Sequence, residues 1–176
     1  MPSRLIVALL LFMVVMPLSA SATSTTERAF DAAIALFEKA LPGLGAEMSG
    51  VATATYRDAL TLRRFRSAHW GDAVDLRITD AASESAGCAR FAAYVDLPPR
   101  NGTATLTVCP RFHRDGSDAL RALTILHEVV HAVAGPDECR AMAFAAAIEQ
   151  RATGRFTDVG GYWRANSCQA SPYALP

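Results

Sequence analysis

Residues 123–134 have the sequence LTILHEVVHAVA, which is the most informative stretch of the chain. It contains the pattern H-E-x-x-H, and residues four apart lie on the same face of a helix. His127 and His131 can therefore bind one metal ion, with Glu128 beside it. The other residues are apolar nearly all round the helix, which is typical of a buried helix. Because burying two histidines and a glutamate is costly without compensation, the pattern predicts a buried zinc site.

A second helix is predicted directly after the motif helix. The motif helix spans about residues 118–134, Gly135-Pro136 ends it, and the next helix runs from Asp137 or Glu138 to about residue 151. Zinc in hydrolytic sites usually has three protein ligands and one water. Because a short helix hairpin would bring Glu138 back beside the motif helix, we favour Glu138 as the third ligand. Asp137 is the competing candidate.

The pattern also predicts a mechanism. A bound metal ion lowers the pKa of its water, and Glu128 is placed to act as the general base rather than as a ligand. Glu128 would then pass the proton to the leaving amine. A donor to the oxyanion is expected as well, and Tyr162, Tyr173 and Arg140 are the candidates.

The first 22 residues are typical of a secretory signal peptide. Arg4 supplies a positive charge, residues 5–16 form an unbroken apolar run, and Ala20-Ser21-Ala22 has the small-x-small form of a cleavage site. A retained membrane anchor is the alternative, but the apolar run is short for a bilayer span. We therefore expect a secreted or periplasmic protein whose mature chain, residues 23–176, is one domain.

Charge and cysteine content narrow the class of protein further. Without Arg4, the 17 basic residues become 16 against 17 acidic ones, so nucleic acid and anionic membranes are not expected as partners. An even number of cysteines in an exported chain favours disulfides. Three pairings of the four cysteines are possible, and we favour Cys88–Cys109 together with Cys139–Cys168.

The remaining segments predict an α+β fold. Alternating apolar and polar residues over 103–108 indicate a strand that could lie at a sheet edge. Proline, asparagine and glycine at 98–102 predict the turn of a hairpin. Thr25 or Thr26 is predicted to cap the first helix. The predicted segments are helices over about 27–41 and 51–67, strands over 74–78, 91–95 and 103–108, and an irregular tail from Thr153.

Several pieces of the chain resemble the aspzincin family of zinc metalloendopeptidases, which includes deuterolysin and the peptidyl-Lys metalloendopeptidases. They follow the family's order across residues 65–138. The pieces are Phe65 to Gly71, Cys88 with Ala93-Tyr94-Val95, Cys109-Pro110-Arg111-Phe112, and Leu126 to His131. The resemblance implies a zincin-like, mainly helical α+β domain with a small antiparallel sheet. Its edge strand can bind an extended peptide.

The chain departs from the aspzincin pattern just after the motif helix. The family has G-T-x-D-x-x-Y-G there, in which Asp is the third zinc ligand and Tyr resembles an oxyanion donor. In this chain Glu138 stands in place of the Asp and Ala141 in place of the Tyr. The sequence from Glu138 to Ala146 is also similar to the E-x-x-A-x-x-F-A-A helix of ImmA-like zincins, whose Glu is the third ligand. Both similarities imply a glutamate-ligated site between two helices.

These features favour an exported zinc metalloendopeptidase that acts on proteins or peptides. The alternative is a metal-loaded binding or structural protein on a zincin scaffold with little or no hydrolysis, because Ala141 replaces the family's tyrosine. A third possibility is a hydrolase of another amide, such as a cell-wall peptide. The motif specifies metal-activated water more firmly than it specifies the substrate.

Overall fold

A computed structural model describes residues 23–83 and 85–176. The predicted signal peptide, residues 1–22, lies outside the described residues. The helices and strands confirm the predicted α+β class. In chain order they are α1 (Thr25–Ala40), β1 (Glu47–Met48), β2 (Val51–Ala52), α2 (Thr53–Leu62), β3 (Arg64–Ser67), β4 (Asp72–Asp80), β5 (Ala93–Arg100), β6 (Thr103–Val108), α3 (Pro110–Arg114), α4 (Asp118–Ala134), α5 (Glu138–Thr153) and α6 (Gly160–Ala165).

Two helix starts show how closely local sequence sets a helix boundary. α4 has the predicted bounds, and the Ser117 side chain accepts a hydrogen bond from the backbone N–H of Leu120. α1 begins slightly earlier than expected, because its cap is Ser24 and not Thr25 or Thr26. The Ser24 hydroxyl accepts from the N–H of Glu27, and the Glu27 carboxylate accepts from the N–H of Ser24. This reciprocal pair is a capping box, which satisfies two free donors at once.

Four strands form a mixed sheet in the order β3-β4-β6-β5. β4 and β6 are parallel, whereas β3 with β4 and β5 with β6 are antiparallel. β6 therefore lies inside the sheet, and the prediction that it forms an edge is wrong. Alternation of apolar and polar residues reports which face of a strand is buried, not how many neighbours it has. The edge strand next to α4 is β5.

The prediction of a second helix over residues 51–67 is wrong in its last third. α2 ends at Leu62, Arg63 adopts the left-handed conformation with a φ of 58°, and residues 64–67 form β3. Phe65 and Ser67 are buried while Arg64 and its neighbour at 66 are exposed. This period of two is typical of a strand and distinguishes the segment from the helix before it.

The core places α4 deep in the molecule. α1 packs against α4 and α5, and α4 also packs against α5 and β5. Tyr56 lies between the rings of Phe37 and Phe144, with centroid distances of 5.1 and 4.5 Å. Its buried hydroxyl donates to the carbonyl of Leu126 at 2.8 Å, directly before the H-E-x-x-H motif. Among the described residues, no helix combines the length and hydropathy of a membrane span.

Both favoured disulfides are present. Cys88–Cys109 links the segment before β5 to the residue that follows β6, so it closes the β5–β6 hairpin at its open end. Cys139–Cys168 links the first turn of α5 to the C-terminal tail.

Candidate metal centre

α4 and α5 bring three potential metal ligands together. His127 Nε2 lies 3.0 Å from His131 Nε2 and 3.1 Å from the Oε2 of Glu138. The distance between His131 Nε2 and Glu138 Oε2 is 3.5 Å. All three ligand atoms lie within 4.8 Å of one another. This group, which we call the ligand triad, could hold a metal ion.

Asp137, the competing third ligand, has a different role. Its side chain accepts a hydrogen bond from the backbone N–H of Arg140 at 3.0 Å, so it is the N-cap of α5. A capping carboxylate satisfies free N–H groups of its own helix. Glu138 is the first residue of α5, and its carboxylate faces the two histidines on α4. The structure therefore places Glu138, and not Asp137, in the triad.

A backbone carbonyl sets the orientation of His131. Its Nδ1 lies 3.0 Å from the carbonyl oxygen of Gly135. Because a carbonyl can only accept, Nδ1 carries the proton and donates it, which leaves the lone pair of Nε2 for a metal ion. Gly135 has a φ of 91°, a conformation that favours glycine. A Cβ at this position would also collide with the ring of His69.

Distant side chains fix the end of α4, where His131 lies. The last carbonyls of a helix have no partner within it. Here Ser67 Oγ donates to the carbonyl of Val133 at 2.8 Å, and Trp70 Nε1 donates to that of Ala132 at 2.7 Å. Ser67 is the last residue of β3, and Trp70 lies in the turn between β3 and β4. Sequence reasoning missed these positioning residues, although they lie in the Phe65 to Gly71 piece of the aspzincin resemblance.

Burial sets the charge state of the site. Burial raises the pKa of Glu128 to about 8, partly offset by the charge of His131 and a backbone hydrogen bond from Val95. Burial lowers the pKa of His127, which favours the neutral imidazole that binds metals. Burial opposes ionisation of Glu138 as well, but its hydrogen bonds with the two histidines outweigh that effect and hold its pKa well below the usual range. Burial lowers the pKa of His131 as well, but the hydrogen bond with Glu138 and the nearby carboxylates outweigh that effect and raise it, so a cation would have to displace the proton of His131.

The prediction of an irregular tail is wrong over residues 160–165, which form the helix α6. This helix closes one side of the site. The Tyr162 hydroxyl donates to Glu138 Oε2 at 3.0 Å, and its ring centroid lies 6.1 Å from that of His127. Arg140 donates through Nε to the Tyr173 hydroxyl at 3.0 Å and through Nη1 to the carbonyl of Ala134 at 2.8 Å. Of the three predicted oxyanion donors, Tyr162 is therefore the one that contacts the triad.

Three kinds of contact hold α6 against α5. Trp163 is buried in a small apolar cluster with Met142, next to the Cys139–Cys168 disulfide. The buried Glu149 carboxylate accepts from the N–H and the hydroxyl of Thr157 at 2.7 and 3.0 Å. Within the described residues the tail forms no strand that could pair with the sheet. The contacts with α5 therefore position Tyr162.

We expect the two disulfides to differ in their effect on metal binding. Their sequence separations are 21 and 29 residues, so replacing either pair with alanine should lower the free energy of unfolding similarly, by about 3 kcal/mol. Only loss of Cys139–Cys168 should also weaken zinc affinity, because Cys139 adjoins Glu138. Denaturant unfolding and zinc titration of both double variants check this. Equal zinc affinities in the two variants would contradict it.

A cavity of about 350 Å³ adjoins the triad. It is bounded by the first half of α4, the start of β5, α5 and the segment around α6. His127 and Glu128 form part of its wall. The site therefore has room for a ligand directly beside the general-base candidate.

No protein-family model, curated protein or solved structure matches the chain. The resemblance to the aspzincins therefore stays a prediction. The functional interpretation depends on the triad, Glu128 and the adjoining cavity.

Proposed function

We propose that the chain is an exported zinc metalloendopeptidase that hydrolyses peptide bonds in proteins or peptides. The convergence of His127, His131 and Glu138 beside the buried Glu128 carries this proposal. Two imidazoles and one carboxylate are a typical ligand set of catalytic zinc, which leaves one position for water. Tetrahedral zinc with bonds of about 2.0–2.1 Å separates its donor atoms by about 3.3 Å. The separations of 3.0, 3.1 and 3.5 Å fit that value.

Glu128 is the proposed general base. When bound, zinc supplies a water of lowered pKa and polarises the scissile carbonyl. Glu128 takes the proton from the attacking water and gives it to the leaving amine. Burial raises the pKa of this carboxyl, which favours the protonated form that Glu128 must reach after it takes the proton.

β5 is the proposed support for the substrate backbone. The carbonyl of Ala92 accepts from the N–H of Cys109, and hydrogen-bonded residues alternate along an antiparallel pair. By that alternation Ala93 and Val95 direct their backbone groups away from β6. An extended peptide can therefore add to the free edge of β5 through backbone hydrogen bonds.

Tyr162 is the proposed oxyanion donor, in place of the tyrosine that Ala141 replaces. We expect Tyr162→Phe to lower kcat by about 10²–10³-fold with zinc still bound. Tyr173→Phe is the matched control, because its hydroxyl contacts Arg140 and not the triad. Steady-state kinetics at saturating zinc measure the effect. Unchanged kcat with weakened zinc affinity would instead mean that Tyr162 serves to orient Glu138.

The proposed function is tested with the oxidised mature chain, residues 23–176, and denatured protein substrates. We expect cleavage that a chelator abolishes and added zinc restores. One zinc per chain without cleavage of any substrate would favour the alternative, a metal-loaded binding or structural protein. Cleavage of cell-wall peptides but not of denatured protein would favour a hydrolase of another amide.

A further inference from the structure

The cavity beside the triad has an apolar lining. At about 350 Å³ it is near the lower end of the range for ligand pockets, about 300–1,000 Å³. It therefore suits part of a larger ligand, such as one side chain of a peptide. Its apolar side chains come from four segments of the chain, and they include Ala93, Leu120, Leu123, Met142, Ala145 and Val159.

Exposed apolar surface is concentrated at this cavity. Among the described residues, Leu62, Leu120 and Tyr162 are the large apolar side chains with high exposure, at 68%, 39% and 41%. Leu120 and Tyr162 both line the cavity. An apolar side chain of a ligand that enters the cavity would remove part of this apolar surface from water, which is favourable.

The charged residues of the lining do not make it a site for a cationic side chain. Apart from His127 and Glu128, they are Arg90 and Asp158, and both are exposed. One oxygen of Asp158 accepts from the N–H of Gly160 at 2.8 Å. A lysine or arginine side chain would therefore meet a carboxylate that stays in water, where an ion pair contributes little.

The position of Glu128 tells which substrate residue the cavity faces. Glu128 and the ligand His127 line the cavity, whereas the ligands His131 and Glu138 do not. In the proposed reaction Glu128 delivers its proton to the leaving amine. The residue that supplies this amine, directly after the scissile bond, must therefore lie on the Glu128 side.

We propose that this cavity binds a large apolar side chain, such as Leu, Met or Phe, of the residue directly after the scissile bond. This inference rests on the proposed peptidase function and names its substrate preference. Since one methylene in an apolar pocket changes kcat/KM about tenfold or more, Leu or Phe should exceed Ala at this position by about 10–100-fold.

The test is a digest of a mixed peptide library by the zinc-loaded mature chain, with cut sites identified by mass spectrometry. We expect Leu, Met and Phe to be enriched directly after the cut, and Lys and Arg not to be. Enrichment of Lys or Arg there, or the absence of any preference, would overturn the proposal.

A charged variant sharpens the test. Leu120→Glu places a carboxylate at the rim, and we expect it to reduce the apolar preference about tenfold. Leu62→Glu is the control, because Leu62 is also an exposed leucine on a helix, α2, but lies outside the lining. Equal cut-site profiles for the two variants would contradict the assignment of the cavity.

Binding measurements separate failure of this proposal from failure of the peptidase function. Fluorescently labelled peptides that differ only in Leu, Ala or Lys are titrated against the Glu128→Gln chain. Tighter binding of the Leu peptide, together with no cleavage by the wild type, would support the apolar subsite and reject the peptidase. Equal binding of all three peptides would reject the subsite whether or not cleavage occurs.

Discussion

Replacing Glu138 with glutamine should abolish stoichiometric zinc binding, and hydrolysis with it. The neutral amide removes the anionic donor that lies 3.1 and 3.5 Å from the two histidine nitrogens. Changes to residues that merely contact a zinc ligand already cost about 10–100-fold in metal affinity. Loss of a ligand should therefore weaken zinc binding by more than about 100-fold. Metal analysis after dialysis and competition with a chromophoric chelator measure this change.

Asp137→Asn is the matched control for that experiment. Asparagine caps a helix about as well as aspartate, so α5 should keep its start while position 137 loses its charge. We expect one zinc per chain and normal activity. Zinc lost with Asp137→Asn and retained with Glu138→Gln would reject the triad and make Asp137 the third ligand.

The second large effect is expected from Glu128→Gln, which should lower kcat by about 10²–10⁴-fold and leave the zinc content unchanged. Glu128 lies beside the triad but is not part of it, and glutamine has nearly the same shape without the ability to take a proton. Initial rates on a peptide substrate, with zinc content determined on the same sample, measure the two effects separately.

Glu128→Asp provides the comparison that tests position as well as chemistry. It keeps the carboxylate but withdraws it by one methylene, and a misplacement of about 1 Å costs about 10²-fold in rate. We expect activity between those of the wild type and Glu128→Gln. Wild-type rates in Glu128→Gln would show that another group is the base. Loss of zinc in that variant would show that Glu128 is a ligand.

The sequence predicted those features that depend on neighbours a few residues apart. The bounds of α4 and its end at Gly135 follow from local hydrogen bonding, which the residue types express directly. The spacing of His127 and His131 follows from the helix period. Glu138 is predicted for the triad because only three residues, Gly135 to Asp137, separate it from Ala134 at the end of the motif helix.

The predictions failed where the outcome depends on distant partners. Residues 64–67 follow a helix directly, and they form a strand because β4 offers a partner for their backbone. β6 alternates as an edge strand would, yet it lies inside the sheet because β4 pairs with its second side. Neither partner can be identified from the segment itself, since strand pairing joins groups far apart in the chain.

The sequence alone predicted the groups that meet at the candidate metal centre: two histidines and a glutamate on one helix, and a carboxylate at the start of the next. The other side chains that contact this centre come from distant segments, which only the folded structure brings together. Tyr162 reaches Glu138 from 24 residues away, and Ser67 reaches the end of α4 from 66 residues away. The physical reason is that helix periodicity is set by local backbone geometry, whereas these contacts exist only after α6 and the β3–β4 turn have packed against the two helices.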